Sequence, residues 1–295
     1  MKHYDCAIIA NGGAGGIKFP RRRHQGLVKA VAAGYEILKQ GGSSLDAVEK
    51  AAMILEDSKV FNAGTGSYLN LTGEVEMDAS LMTSELKFGA VGAIKNVRYP
   101  IKVARLVMEK TDHLLLCGDG AASFAYKMGL KKYNPRTKEK IRLWKRKKKN
   151  IGHSYFPQLK KIAGLYGTIG VVAIDKTGLI AVANSTGGIS LNLPGRLGDT
   201  PIIGGGIYAD RFGGVTATGH GEEIMRHLLS FRAVSLMARY PAPLAGKKII
   251  DYATAHKCRC GLIGIDRKGR LLNVHNTPAM SWCYIKKGRM KSFNY

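Results

Sequence analysis

Apolar residues recur along the chain in two rhythms, one suited to strands and one to helices. The run Ala7–Ala10 ends at Asn11–Gly12–Gly13–Ala14–Gly15–Gly16 and predicts a strand closed by a glycine-rich turn. From Gln25 to Gln40, Leu27, Val28, Val31, Ala32, Tyr35, Ile37 and Leu38 keep helical spacing until Gly41–Gly42 stops it. Ser43 or Ser44 then caps a second helix, Leu45–Leu55, with Asp46 in its first turn, where a negative charge suits the helix dipole. A loop from Leu55 to Gly66 leads to a short strand at Val75–Met77. Gly89–Lys95, Pro100–Lys110 and His113–Asp119 read as strand, helix and short strand, and Ala121–Gly129 as a short helix. Further on, Pro201–Asp210 and Val215–Gly221 read as strands, Glu222–Tyr240 and Leu244–His256 as helices, and Leu262–Ile265 with Arg270–Val274 as a hairpin. Periodicity alone supports a mixed α/β protein.

The most informative stretch lies between these halves. Val171–Ile174 is an apolar run, Asp175–Lys176–Thr177–Gly178 supplies turn chemistry, and Leu179–Ala183 returns the chain. Such a hairpin brings Thr186, at the end of its second strand, near the start of its first. The polar, glycine-dense segment Ser185–Asp199 then curls around Thr168. Gly167 leaves the peptide bond before that threonine sterically open.

Composition narrows the class. The chain has 295 residues, 45% of them hydrophobic, and no apolar run of membrane-spanning length. Its first residues lack the cleavage pattern of a signal peptide. Five scattered cysteines match no common zinc spacing and read as reduced thiols of a cytoplasmic protein. The net charge of +25 is concentrated: thirteen Lys or Arg face the single acid Glu139 between Lys131 and Lys161. That run reads first as a solvated, flexible linker. Because Tyr133 and Trp144 stand among the cations, a nucleic-acid-binding tail is the second reading. The Asn11–Gly16 glycines do not make a phosphate loop, because neither a following Lys-Ser/Thr nor a G-x-G-x-x-G is present. His113 has no partner in view and reads as structural.

Four motifs carry a resemblance: Gly167–Thr168, then Ser185–Thr186–Gly187–Gly188, then Pro194–Gly195–Arg196–Leu197–Gly198–Asp199, then Thr218–Gly219–His220–Gly221–Glu222. Together they resemble the plant-type L-asparaginases and isoaspartyl aminopeptidases, a branch of the N-terminal-nucleophile hydrolases. The likeness extends from Asn11 to about Pro278 apart from the linker, and includes the FNAG block at Phe61–Gly64 and the Pro100–Lys110 helix. It implies an αββα four-layer sandwich and a single hydrolase domain that cuts itself into residues 1–167 and 168–295. Thr168 would be the nucleophile and Thr186 its hydroxyl partner. Thr218 with the Gly219 N–H would form an oxyanion hole, and Asn62 would lie beside the nucleophile. Arg196 and Asp199, with Gly221, would bind the substrate's amino-acid end. Carbonyls of Leu55, Glu56, Ser58, Phe61, Ala63 and Thr65 would hold a structural sodium ion. No organic cofactor is implied, and relatives pair two cleaved protomers. The chain departs from the family at Asn11, where a histidine is usual, and at Asn192, where a lysine is common.

The residue types suit the chemistry. A threonine hydroxyl needs a base, and a chain-terminal threonine carries one in its α-amine, which titrates near pH ~7.7–8.0. A guanidinium binds an α-carboxylate in a fork, and a carboxylate accepts an α-ammonium. The expected activity is hydrolysis of L-asparagine and β-aspartyl dipeptides through a threonyl ester. The alternatives are a glycosylasparaginase-like enzyme and a nucleic-acid-binding protein on an inactive hydrolase scaffold, although a nucleic-acid partner is not the expectation.

Overall fold

A computed structural model describes residues 4–149 and 167–294. Two sheets organise it. The larger has eight strands: β1 (Ala7–Gly15), β2 (Met77–Thr83), β3 (Phe88–Ile94), β4 (Leu115–Cys117), β5 (Ile169–Ile174), β6 (Ile180–Thr186), β11 (Ala279–Lys286) and β12 (Arg289–Ser292). Their order is β12-β11-β1-β5-β6-β2-β3-β4. The smaller sheet orders β10 (Leu271–His275), β9 (Cys260–Asp266), β8 (Gly213–Gly219) and β7 (Ile207–Asp210).

Strand alternation builds three cores. Ile8, Ala10, Val171 and Ala173 point to a core shared with α1 (Pro20–Lys39), α2 (Ser44–Asp57) and α3 (Pro100–Lys110). Their neighbours Ala7, Ile9, Val172 and Ile174 meet Ile207, Ala209, Ile263 and Ile265 between the two sheets. The smaller sheet's other face, with Val215, Ala217 and Leu262, packs against α7 (Leu229–Met237) and α8 (Ala242–Ala255). The remaining helices among the described residues are α4 (Gly118–Lys127), α5 (Lys138–Lys149) and α6 (Gly221–Arg226). No helix among them is long and apolar enough to cross a membrane.

Local chemistry explains most boundaries. Ser43 caps α2, its hydroxyl accepting the Asp46 N–H at 3.1 Å. The Asp175 carboxylate accepts the Thr177 and Leu179 N–H groups and so closes the β5–β6 turn. Several expectations need correction. The first strand runs through the glycines to Gly15, because β11 pairs with it there across a register shift. The strand expected at Val75–Met77 begins only at Met77. Residues 201–206 are turns and a bend with one isolated bridge from Ile203 to Ile207, so only Ile207–Asp210 of the expected strand pairs as one. The helix expected at Glu222–Tyr240 breaks at Leu228, which is left-handed (φ 47°). The hairpin Ala279–Ser292 was not foreseen, yet β11 lies inside the large sheet beside β1.

The basic run also differs from a solvated linker in the part described. Lys138–Lys149 is a docked helix: the Trp144 indole N–H donates to the Asn70 carbonyl at 2.8 Å, and Lys140 is 7% exposed. Residues 150–161 of the run lie outside the described residues.

Candidate active site

The β5–β6 pairing sets the site. Ile169 stands opposite Ser185, so the residues just beyond them, Thr168 and Thr186, meet at the hairpin's open end. The Thr168 hydroxyl donates to Thr186 Oγ1 at 3.2 Å, and Thr186 Oγ1 also accepts the Gly188 N–H at 3.1 Å. Thr168 is buried. Around it Gly167, Thr186, Gly188, Arg196, Asp199, Gly219 and Gly221 line a cavity of about 10 Å³. That is room for about one water molecule.

Asn62 stands directly behind Gly167: a Cβ added at 167 would lie 2.7 Å from the Asn62 Cβ. Its side chain bridges two segments, donating to the Gly188 carbonyl at 2.7 Å and accepting the Tyr68 N–H at 2.7 Å. Asn62 therefore fixes the wall behind the Gly167–Thr168 bond rather than lining the cavity. Gly219, at the end of β8, has φ 148°, and a Cβ there would stand 2.4 Å from the Arg259 carbonyl, so only glycine fits. Thr218 is fully buried beside it with a hydroxyl that has no hydrogen-bond partner among the described residues, and it does not line the cavity.

Arg196 is engaged by Glu222 rather than by Asp199. Its Nε and Nη2 donate to Glu222 Oε1 at 3.0 and 2.7 Å, which leaves Nη1 without a hydrogen bond among the described residues. Burial pushes the Glu222 carboxyl up, but the Arg196 charge and hydrogen bonds bring it below its ordinary value. Asp199 is buried, and its Oδ2 has no hydrogen-bond partner among the described residues. Burial pushes Asp199 up to about 7, against the lowering by Arg196, while Asp78 and Glu222 add to the rise. At Gly221 a Cβ would come within 2.8 Å of Asp199 Oδ1 and 3.0 Å of Arg196 Nη2. Glycine there keeps both side chains in the pocket.

A ladder of polar side chains, missed in the sequence, holds the loop that carries this pair. Glu76 accepts the Gly195 N–H at 3.0 Å, Asp78 the Gly198 N–H at 3.2 Å, and the Ser80 hydroxyl donates to the Thr200 carbonyl at 2.5 Å. These are alternate positions on β2 and the residue just before it, so one side of this extended segment grips residues 195–200. The signal was available: two acids and a serine at every second position from Glu76 to Ser80, alternating with Met77 and Ala79.

The six expected carbonyl positions span the last turn of α2 and the loop after it, which is closed by the Thr65 N–H donating to the Glu56 carbonyl at 2.7 Å. Gly64 is left-handed (φ 52°), and a Cβ there would sit 2.5 Å from the same carbonyl. The Glu56 side chain is wholly buried, with Oε1 accepting from the Ser185 hydroxyl at 2.6 Å and the Ile101 N–H at 3.1 Å. Burial pushes this carboxyl up to about 8. Of the departures, Asn11 pairs with Gly170 on β5, and its amide nitrogen has no hydrogen-bond partner. The Asn192 amide donates to the Leu193 carbonyl at 3.3 Å. His113 is exposed.

Comparison with known proteins gives the family. The family described as Asparaginase matches residues 4–294. The chain belongs to that family. It is 43% identical to a plant-type L-asparaginase of Pyrococcus horikoshii, over 96% of this chain and 97% of the relative. It is 42% identical to an isoaspartyl peptidase/L-asparaginase of Xenopus laevis, covering 96% and 93%, and 40% identical to the human protein of that name, covering 96% and 94%. This asparaginase-family chain is therefore a hydrolase. The matches favour neither a nucleic-acid-binding protein on an inactive scaffold nor a glycosylasparaginase-like enzyme.

Proposed function

We propose that the chain cleaves itself between Gly167 and Thr168 and then hydrolyses L-asparagine and β-aspartyl dipeptides. The observation that carries this reading is the 3.2 Å bond from the Thr168 hydroxyl to Thr186 in a cavity that also holds Arg196 and Asp199. In the maturation step, Thr168 Oγ1 attacks the Gly167 carbonyl carbon, the C–N bond breaks, and the hydroxyl proton passes to the leaving amine. Water then hydrolyses the resulting ester. Residues 1–167 and 168–295 become two chains of one hydrolase domain.

The freed α-amine of Thr168 becomes the base for the second reaction. Arg196 Nη1 takes the substrate α-carboxylate and Asp199 its α-ammonium, which leaves the side-chain amide over Thr168 Oγ1. Attack forms an ester and releases ammonia or the peptide's amine, with the hydroxyl proton leaving on it, and water then regenerates the threonine. Thr218 and the Gly219 N–H stabilise the oxyanion, each donor contributing about 3–4 kcal/mol to the transition state. Thr218 fits the role because its buried hydroxyl has no other partner among the described residues.

The reading extends to the arrangement of layers, an αββα sandwich of the N-terminal-nucleophile type, supported by the three cores. Carbonyls of Leu55, Glu56, Ser58, Phe61, Ala63 and Thr65 would hold a sodium ion, a role that the closed loop suits. Such an ion would stiffen the backbone that carries Asn62. A dimer of cleaved protomers rests on the family resemblance alone. Five free thiols fit the reducing cytoplasm.

The test is ammonia release from L-asparagine and aspartate release from a β-aspartyl dipeptide, with Thr168→Ala alongside. Turnover of both substrates by the parent chain and of neither by the variant is expected. Equal background turnover in both proteins contradicts the assignment.

A further inference from the structure

A much larger cavity lies elsewhere, a cleft of about 880 Å³ between the start of α1, the 57–60 loop and α5. Its size falls in the range of small-ligand sites, roughly 300–1,000 Å³. Eight Lys or Arg side chains line it against two acids, Asp57 and Glu139. Asp57 is already engaged by Arg98 at 2.9 Å and by the Tyr99 hydroxyl at 2.6 Å. The exposed Lys18, Arg22, Lys59, Arg142 and Arg146 have no acidic partner among the described residues.

The decisive group is Lys140. It is 7% exposed and lines the cleft, and its ammonium makes no hydrogen bond or ion pair among the described residues. Its Nζ sits 3.9 Å from the centre of the Tyr68 ring, and Lys147 Nζ approaches the same ring at 5.7 Å. A buried ammonium held only by a ring face is a group whose natural partner is an anion. Burial, then the neighbouring Arg23, Lys147 and Lys18, lower Lys140 to about 8 against the opposing pull of Glu139. Burial and the charges of Lys18 and Arg146 lower Lys147 as well. These cations destabilise one another for want of negative charge. No side chain caps the N-terminus of the 20-residue α1, which opens on the same cleft.

We propose that this cleft binds a small polyphosphate, free or carried by a nucleotide. One negative charge would leave most of the cluster unneutralised, whereas a chain of phosphates places several charges within one cavity. Phe19, half exposed on the cleft wall with Arg22 against its ring, offers a stacking surface for a base.

Calorimetric titration of the full chain with inorganic tripolyphosphate at about 0.15 M salt tests the site, with ATP as a second arm. Saturable binding is expected, weakened about tenfold or more by Lys140→Met. Met keeps the apolar stem, and circular dichroism checks the fold. A second variant, Arg142→Gln with Arg146→Gln, alters exposed residues only and is expected to weaken binding as well. Equal affinities assign the site to the phosphate chain, and tighter ATP binding assigns it to a nucleotide. Absence of saturable binding, or affinity unchanged in both variants, overturns the proposal. So does a single-stranded oligonucleotide of about 20 nucleotides that binds and resists displacement by tripolyphosphate.

Discussion

At the scale of single residues, Asp199 makes the sharpest claim. Its carboxyl is pushed up to about 7 chiefly by burial, and an α-ammonium is held only by the ionised form. KM for L-asparagine is therefore expected to rise as pH falls through about 7, about tenfold for each further unit below it. The amine that the proposed cleavage would free on Thr168 would titrate separately and shape kcat, so initial rates across pH 5.5–9, resolved into kcat and KM at about half-unit steps, separate the two groups. Asp199→Asn is expected to raise KM and to remove its pH dependence in this window. A variant whose KM still rises as pH falls would move the ammonium site elsewhere. The Thr168–Thr186 meeting was legible in the sequence because hairpin geometry dictates it once the turn at Asp175–Gly178 is recognised. The engagement of Arg196 by Glu222 was not, since 26 residues separate them and no local pattern links the two.

At the scale of elements, the strand that begins at Met77 acts as a clamp. Asp78 accepts the Ala93 N–H at 2.9 Å and the Gly198 N–H at 3.2 Å, tying its neighbour strand and the substrate loop to one carboxyl. Removing it strands two N–H groups, at a cost of about 1–3 kcal/mol each. Asp78→Ala is expected to lower stability by a few kcal/mol in urea unfolding, and to raise KM more than it lowers kcat. An unchanged KM in a folded variant would mean that the loop keeps its position without the clamp. The sequence displayed this ladder as buried acids in a strand but did not show what they gripped, because the loop lies about 120 residues away. Elements with strong periodicity, such as Pro100–Lys110, were read to their ends. The hairpin Ala279–Ser292 escaped notice because Arg289, Lys291 and the lysines at its turn disguise an edge ribbon as a polar tail.

At the scale of the whole molecule, buried charge sets the response to pH. Burial raises Glu56 to about 8, Asp199 to about 7 and Asp78 to about 6, all above the ~3.9–4.3 of unfolded carboxylates. Raised carboxyls bind more protons in the folded state, so their contribution is complete below about pH 4 and is lost as pH rises towards 8. The thermal midpoint is expected to fall across that interval, and Glu56→Gln, uncharged at every pH, is expected to flatten the upper part of the fall. A midpoint that rises with pH through the same range contradicts the burial argument. The basic run shows the limit of composition as a guide. Thirteen cations suggested solvent, yet Lys140 is buried against Tyr68, a contact between distant segments that no charge count reveals. The central claim concerns one peptide bond and is tested most directly by the intact mass of the purified protein after incubation, beside Thr168→Ala. Two fragments that meet between Gly167 and Thr168, absent from the variant, are the expected result. A parent chain that stays whole, or is cut elsewhere, while still hydrolysing asparagine would contradict it.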